Sequence, residues 1–279
     1  MTPSENQQQI EYWNGSAGER WASLQEKIDL HMEAITGAVL DFAAPREHER
    51  ILDIGCGCGT STFLLAFKAG RDGAAAGIDI SRPMLNVARA RAMAQNAGVI
   101  FVEGDAAHYD FQPVFDLAFS RFGVMFFAEP IRAFVNIAKS LTPSGRLVFV
   151  CWRGMTENIW ASAPMEAAGH LLPLQEPADP LAPGPFAFSD GARLRSLLAS
   201  AKYSHIEIEP FDCTMNMGAT LEEAAAEVLN VGPLARLATD LDEATRARIR
   251  GVVADAYAPY ASAAGVAPPA ACWFVRARL

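Results

Sequence analysis

The chain has 279 residues, of which 51% are hydrophobic and 20% charged, the composition of an ordinary globular protein rather than a disordered or fibrous one. Its formal net charge of −9 argues against a nucleic acid partner, because proteins hold the phosphate backbone with clustered Lys and Arg side chains. No apolar run is long enough to predict a membrane span, the segment 1–9 does not resemble a secretory signal, and the 5 scattered cysteines indicate reduced thiols, so we expect a cytoplasmic protein.

The segment 1–45 predicts a helical cap ahead of a sheet. Ser4 and Ser16 are each followed three residues later by Gln or Glu, a pattern typical of capping boxes at helix starts. Asn14 and Gly15 predict a turn between the two helices. Apolar residues then recur at helical spacing as far as Pro45.

In the segment 46–152, short apolar runs alternate with helical patterns, which predicts a parallel sheet covered on both faces. A turn is expected at Pro143–Gly145, just before the last of these strands. The predicted strands are Ile51–Ile54, Ala75–Ile80, Val99–Val102, Phe115–Phe119 and Leu147–Trp152, with helices near 60–69, 83–97 and 130–141.

Beyond Trp152 the composition changes. Six prolines between Pro164 and Pro185 predict an irregular excursion with one short helix, and long connections of this kind are usually functional. Thr220 with Glu223 predicts a capped helix start. Further helices near 191–201 and 243–256, and strands near 205–209 and 273–277, complete what we expect to be a single domain over 1–279.

The segment 51–60, ILDIGCGCGT, carries the strongest functional signal, because an apolar strand runs directly into three alternating glycines and then into a helix. A Cβ at such positions would block both the tight turn and the close approach of a ligand. The free N–H groups of the following helix point at that ligand. The dinucleotide fingerprint requires glycine where Thr60 stands, which disfavours a nicotinamide-dependent oxidoreductase and leaves it as a lesser alternative.

Three acids follow or end successive strands on the same edge of the predicted sheet. Asp53 precedes the first glycine by two residues and could order the loop and attract a cationic amino-acid group. Asp79 ends the second strand, where an acid can accept both hydroxyls of a ribose. Asp105 follows the third strand and could accept from an adenine amino group.

Together these residues resemble the class I S-adenosylmethionine-dependent methyltransferases, in particular the group similar to ubiquinone and menaquinone C-methyltransferases. The resemblance covers Arg50–Trp152. It implies a Rossmann-like α/β fold with a seven-stranded, mostly parallel sheet, helices on both faces and an antiparallel last strand. It also implies that S-adenosylmethionine is the cofactor, with Trp13 and Trp21 closing over it, although core packing is the alternative for both rings. The other predicted cofactor contacts are Asp53, Gly55, Cys56, Gly57, Gly59, Asp79, Ile80, Gly104, Asp105, Ala106 and Ser120.

The expected reaction is direct displacement at the sulfonium methyl by a small, aromatic or lipophilic acceptor. The segments 153–189 and 217–262 are predicted to form a lid on the acceptor side, because they are helical and apolar at Leu171, Leu172, Leu229 and Leu237. The residues predicted to bind the acceptor, with ordinary core packing as the alternative, are Phe122, Met125, Phe126, Trp152 and Trp160.

No catalytic base can be named from the sequence. Arg121 is a candidate because an Arg in so apolar a segment needs a partner, and His108 and Arg153 are weaker candidates. Cys56 and Cys58 lack zinc spacing, so no metal is expected. A small molecule is the predicted partner, a homo-oligomer is left open, and a non-catalytic S-adenosylmethionine-binding protein stays an alternative.

Overall fold

The computed structural model describes residues 6–173, 179 and 181–279. Seven strands form one sheet, and two short strands form a separate ribbon. In chain order the strands are β1 (Arg50–Ile54), β2 (Ala74–Asp79), β3 (Ile100–Glu103), β4 (Phe115–Arg121), β5 (Leu141–Trp152), β6 (Ser204–Thr214), β7 (Ala261–Ser262), β8 (Gly265–Val266) and β9 (Pro269–Arg278).

The order across the large sheet is β3-β2-β1-β4-β5-β9-β6. The strands β1 to β5 pair in parallel, and β9 runs antiparallel to both of its neighbours. The segment 147–152 of β5 is buried at every position. Because successive side chains of a strand point to opposite faces, this burial requires cover on both faces of the sheet. The predicted Rossmann-like fold with an antiparallel last strand is confirmed.

Helices precede the sheet, connect its strands and follow it. They are α1 (Gln7–Asn14), α2 (Ser16–Ser23), α3 (Gln25–His31), α4 (Glu33–Ala43), α5 (Thr60–Ala69), α6 (Arg82–Gln95), α7 (Pro130–Ala138), α8 (Ile159–Ala168), α9 (Gly191–Ser200), α10 (Leu221–Glu227), α11 (Pro233–Leu237) and α12 (Glu243–Tyr257). We refer to α1–α4 as the cap helices. The helix α8 packs against α11 and α12, and α10 packs against α12. No helix in the described ranges is long and apolar enough to cross a membrane.

Some local predictions are wrong. The helix α2 begins at Ser16 with Gly15 before it, so Ser16 lies inside the helix and does not cap it. The predicted turn at Pro143–Gly145 lies within β5, where the pairing with β4 shifts register. Thr220 does cap α10, since its hydroxyl accepts a hydrogen bond from the Glu223 amide. The capping box predicted at Ser4 lies outside the described residues.

The strand β6 is twice as long as predicted. It continues to Thr214 although Pro210 interrupts the sequence pattern. Proline has no N–H to donate, which disrupts the pairing of a strand that has a neighbour on each side. The strand β6 is at the edge of the sheet and pairs only with β9. The edge position therefore accommodates Pro210, at which the sequence had predicted the end of the strand.

Candidate functional site

One cavity lies at the carboxyl ends of β1 to β5, where ligands bind in open α/β sheets. The segments that follow these strands form its floor, and the cap helices and the segments around α8 and α11 form its walls. The cap contributes Asn6, Trp13, Trp21, Gln25, Ile28, Asp29 and Met32. The strand ends contribute residues 54–58, 60, 61, 78–80, 104–106, 121–123, 125–127 and 152, and the later chain contributes Trp160, Pro185, Val231 and Gly232, while Met84 comes from α6.

The glycine loop between β1 and α5 has left-handed backbone at all three glycines, with φ of 67°, 53° and 86° at Gly55, Gly57 and Gly59. A Cβ on Gly55 would lie 2.7 Å from the Cα of Gly123, so the loops after β1 and β4 touch backbone to backbone. Gly59 does not line the cavity, and a Cβ there would lie 2.6 Å from the ring of Phe101. Gly59 therefore serves packing inside the fold, whereas Gly55 and Gly57 form the cavity floor.

Asp79 ties the end of β2 to this loop. Its Oδ2 accepts the Gly57 amide at 2.7 Å and its Oδ1 accepts the Ser81 amide at 2.8 Å. Burial raises the pKa of Asp79, and the two amide hydrogen bonds act in the opposite direction. Each carboxylate oxygen can accept more than one hydrogen bond, so the side chain can hold the loop and still accept from a ligand in the cavity.

Asp53 lies beneath the loop and not on the cavity surface, which differs from its predicted place among the cofactor contacts. It is fully buried, and its Oδ2 accepts hydrogen bonds from the hydroxyls of Ser61 and Thr62, both at 2.7 Å. Its Oδ1 is buried without a hydrogen-bond partner among the described residues. Burial raises the pKa of Asp53 to about 6. The side chain fastens the start of α5 to β1 and acts on the cavity only through that helix.

Asp105, which follows β3, lines the cavity and binds the side chain of Asn6, the first residue that the structure describes. Its Oδ2 accepts from the Asn6 side-chain amide at 3.0 Å and lies 2.9 Å from Nδ1 of His108, while Oδ1 accepts the Ala107 amide. Asn6 is buried, and its own carbonyl oxygen has no partner within the described ranges. An acceptor oxygen is thus available on the wall beside Asp105.

Arg121 ends β4 and reaches the cap helices. It donates to the Thr36 hydroxyl at 2.8 Å and contacts Oδ1 of Asp29 at 3.4 Å. The expected partner of this buried arginine therefore exists, in helices far away in the chain. Oδ2 of Asp29 also accepts from the Thr60 hydroxyl at 2.5 Å and from Gln25, and lies 3.9 Å from Nη1 of Arg91.

Asp29 and Gln25 are cavity residues that the sequence analysis missed. Their spacing of four residues places both on one face of a helix, which is the only signal they give in the sequence. That face could not be assigned to the cavity without knowing where α3 packs.

Aromatic rings form the rest of the cavity. The ring of Phe122 stacks on Trp152 at 4.2 Å between centroids, and Trp152 lies 4.9 Å from Trp160. Trp13, which also lines the cavity, meets Trp21 at 5.6 Å and Phe126 at 5.2 Å, both edge to face. Of these rings, Phe122 and Phe126 belong to the run after β4, so that run lines the cavity.

Phe122 has a left-handed backbone with φ of 61°. A bulky residue in this region is a genuine outlier, and such strain persists where the surrounding structure imposes it. Its amide donates to the Val150 carbonyl at 3.1 Å, and Gly123 follows at the close approach to Gly55. The strained backbone is what aims the Phe122 ring at Trp152.

Comparisons with known proteins agree with this geometry. The family described as "Methyltransferase domain" matches residues 51–145. Among curated relatives, the aklanonic acid methyltransferase DauC of Streptomyces sp. is 32% identical over 40% of this chain and 51% of its own length, and the demethylmenaquinone methyltransferase of Thermus thermophilus is 36% identical over 39% and 50%. These matches show that residues 51–145 of the chain resemble a methyltransferase domain.

The matches define how far the methyltransferase likeness extends. The chain spans about half the length of the curated relatives it matches. A solved structure, the YcgJ protein of Bacillus subtilis, superimposes with a TM-score of 0.58 over 88% of this chain and 98% of that one, at 14% identity. This likeness shows that the fold shared with that protein extends well beyond the matched residues 51–145.

Several predicted site residues lie away from the cavity. His108 contacts Asp105 from outside. Arg153 pairs with Asp212 at 2.6 Å and with Glu157, and its guanidinium lies over the ring of Trp273. The predicted residues that do not line the cavity are Asp53, Gly59, His108, Ser120, Arg153, Leu171, Leu172, Leu229 and Leu237.

Ser120 has a structural place in the methyltransferase fold. It is fully buried, donates to the Ile54 carbonyl at 2.8 Å and accepts from the Gly123 amide at 3.1 Å. It therefore joins the ends of β1 and β4 below the cavity, which is why it does not line the cavity. The remaining predicted contacts, including Cys56, Ile80, Gly104, Ala106 and Met125, do line it.

The two cysteines of the loop, Cys56 and Cys58, both line the cavity. Burial raises the pKa of Cys56 well above its usual value and that of Cys58 to about 12, so both thiols are protonated near neutral pH. Within the part of the chain that the structure describes, no group of three or more His, Cys, Asp or Glu could hold a metal ion.

Proposed function

We propose that the chain transfers a methyl group from S-adenosylmethionine to a small aromatic or otherwise lipophilic acceptor by direct displacement. The observation that carries this proposal is the continuity of one cavity, which joins the glycine loop and the strand-end acids to a wall of aromatic rings. A cofactor bound at the first part would present its methyl group to a molecule stacked at the second. Two relatives, an aklanonic acid methyltransferase and a demethylmenaquinone methyltransferase, support a small organic acceptor.

The residues present fit S-adenosylmethionine. In the proposed assignment Asp79 accepts from the ribose hydroxyls, and Asp105 with Ala106 meets the adenine. The unpartnered carbonyl oxygen of Asn6, beside Asp105, is an acceptor that an adenine amino group would satisfy. Gly55, Cys56 and Gly57 form the bare backbone over which the methionine part lies.

The aromatic rings and the lid are proposed to select and enclose the acceptor. When bound, S-adenosylmethionine supplies a methyl group activated on a sulfonium. The chain's own contribution is to hold the acceptor in line and exclude water, a positioning effect worth up to about 7 to 11 kcal/mol. In the proposed division, the segment 1–45 is a cap, 46–152 is the cofactor-binding core, and 153–189 and 217–262 are the lid.

The ionisable groups of the cavity favour an acceptor that needs no base from the protein. Asp29 is paired with arginines, Asp79 and Asp105 are engaged by amides, and the loop thiols are protonated. Of the three residues considered as a base for a phenol, His108 and Arg153 lie outside the cavity, and Arg121, which lines it, donates to Thr36 and contacts Asp29. We therefore propose an amine or an enolate-like carbon as the nucleophile.

Two measurements test the proposal. Calorimetry should detect binding of S-adenosylmethionine and S-adenosylhomocysteine and none of nicotinamide dinucleotides, and Asp79→Ala should reduce that binding. Release of S-adenosylhomocysteine should then be stimulated by members of a library of aromatic amines and enolisable carbonyl compounds. Binding without any stimulated turnover would favour the alternative of a non-catalytic S-adenosylmethionine-binding protein, and absence of binding at millimolar cofactor would overturn the proposal.

A further inference from the structure

One tryptophan of the cavity wall, Trp160, is held at two points by residues that do not line the cavity. Its Nε1 donates to Oδ1 of Asn158 at 3.0 Å, and its backbone carbonyl accepts from the Tyr257 hydroxyl at 2.6 Å. Asn158 and Tyr257 are both fully buried. The position of the Trp160 ring is therefore set from behind the wall, by the residue before α8 and the last residue of α12.

The hydrogen bond from Tyr257 replaces one that the helix α8 cannot make. In a regular α-helix the carbonyl of Trp160 accepts from the amide four residues later, but that residue is Pro164, which has no N–H. A buried carbonyl without a partner costs free energy. The Tyr257 hydroxyl supplies the missing donor, so α12 fixes the first turn of α8, to which Trp160 belongs.

The side-chain amide of Asn158 is inserted where β5 and β9 separate. The Ala271 amide of β9 donates to Oδ1 of Asn158 at 2.9 Å, and Nδ2 of Asn158 donates to the Ala271 carbonyl at 3.1 Å and to the Arg153 carbonyl at 3.2 Å. These bonds lock the amide against the end of the sheet. Its oxygen can accept a second hydrogen bond, so it offers the Trp160 indole an acceptor in a fixed position.

The Trp160 ring held in this way offers the cavity no hydrogen-bond donor. An indole has one polar group, its N–H, and that of Trp160 is engaged by Asn158. The ring of Trp152 lies 4.9 Å away between centroids and stacks on Phe122. A Cβ on Gly232 would lie 3.0 Å from the Trp160 ring, so backbone of the segment before α11 also packs against it. Trp160 therefore presents carbon surface in a fixed plane.

We propose that Asn158 and Tyr257 are positioning residues for the acceptor, because they fix the plane of Trp160, and that the fixed ring makes the cavity prefer a planar aromatic acceptor to a saturated lipophilic one. This inference rests on the proposed function and narrows its acceptor class. Ring quadrupoles favour stacked and edge-to-face pairs of aromatic rings, which a saturated ring cannot form. A wall that is ordered before binding also loses less conformational entropy when the acceptor arrives.

The test compares two binding probes with the same carbon skeleton, planar 1-naphthol and saturated decahydro-1-naphthol, by calorimetry with S-adenosylhomocysteine present in excess. The unsubstituted protein should bind 1-naphthol about three- to tenfold more tightly, the value of one aromatic contact beyond its buried area. Tyr257→Phe keeps the ring and removes the hydroxyl. It should raise the Kd of 1-naphthol by about three- to tenfold, the net value of one hydrogen bond, and leave the Kd values of decahydro-1-naphthol and S-adenosylhomocysteine unchanged.

Tyr203→Phe is the matched control. It also removes a buried phenol hydroxyl that donates to a backbone carbonyl, that of Phe134 at 3.2 Å, but Tyr203 lies away from the cavity, so none of the three affinities should change. Asn158→Ser is the second variant. Hydrogen exchange of the Trp160 indole N–H, followed by NMR and assigned with Trp160→Phe, should be faster in Asn158→Ser and unchanged in Tyr203→Phe.

An equal rise in the Kd of both probes in Tyr257→Phe would overturn the proposal, because it would show a general loss of packing. Unchanged Kd values for both probes in that variant, with its fold verified by thermal denaturation, would overturn it as well. The same conclusion would follow if the unsubstituted protein, with S-adenosylhomocysteine bound, took up neither probe or bound both equally. If the unsubstituted protein did not bind S-adenosylhomocysteine, the proposed function itself would fail.

Discussion

The left-handed backbone of Phe122 allows its strain and its ring to be tested separately. Phe122→Gly and Phe122→Ala both remove the ring that stacks on Trp152 at 4.2 Å, and loss of this half-buried ring should cost each variant about 2 kcal/mol of stability before any backbone effect is counted. They differ in the backbone. A non-glycine residue in the left-handed region costs roughly 1 to 2 kcal/mol, and glycine avoids that cost. Phe122→Gly should therefore be more stable than Phe122→Ala by about 1 kcal/mol.

This order is the reverse of the usual one, because glycine normally destabilises a regular segment relative to alanine. Urea unfolding at equilibrium measures the difference directly, with equal m-values as the control for unchanged unfolding. In a turnover assay, both variants should raise the KM for an aromatic acceptor by about three- to tenfold, the value of one lost ring contact. Equal stability of the two variants would refute the strain argument, and an unchanged KM in both would refute the role of the ring.

Three further predictions address separate parts of the site. Asp79→Ala should weaken S-adenosylhomocysteine by about ten- to a hundredfold in calorimetry, because the carboxylate is proposed to bind the ribose and also holds the Gly57 amide. Val231→Ala, in the proposed lid, should extend the acceptor range to bulkier compounds while S-adenosylhomocysteine affinity stays constant, and equal loss of both would count against a separate lid. Burial raises the pKa of Asp53 to about 6. Between about pH 4 and 6 this carboxyl is therefore protonated in the folded state but ionised in the unfolded state, so the free energy of unfolding falls as the pH rises through that range. Between pH 4.5 and 7.5 the free energy of unfolding, measured with urea, should fall by on the order of 2 to 3 kcal/mol in the unsubstituted protein, and Asp53→Asn should not show this fall. The same pH dependence in both proteins would show that Asp53 does not titrate in this range.

The sequence predicted best where neighbouring residues determine the structure. The helix after the glycine loop has the predicted bounds of 60–69, because an apolar strand, a run of positive-φ glycines and a helix start follow one another without a gap. The three acids at strand ends could be placed on one edge for the same reason, since parallel strands share an edge. Two of them, Asp79 and Asp105, line the cavity.

The sequence predicted least where the contact partners are far apart in the chain. Asp29 and Arg121 are separated by 92 positions and meet only because α3 packs beside the end of β4. The need of Arg121 for a partner was visible from its apolar surroundings, but the identity of the partner was not. Asp53 is a case in which nearby residues misled the prediction. The hydroxyls of Ser61 and Thr62, only eight and nine positions away, bind its carboxylate, so Asp53 lies below the cavity although it belongs to the glycine motif.

The strand order explains why both parts of the cavity meet at the end of β1. Going from β1, the chain adds β2 and β3 on one side of the sheet and β4 and β5 on the other, so the direction of winding reverses between β1 and β4. Helices that connect strands on the two sides cover opposite faces, and a crevice opens where they part. The loops after β1 and β4 line that crevice in direct contact, since a Cβ on Gly123 would lie 2.7 Å from the Ile54 carbonyl oxygen and 2.8 Å from the Cα of Gly55. The backbone proposed to carry the methyl donor is therefore packed against the loop that aims Phe122, and a displacement of either loop would change the distance between donor and acceptor.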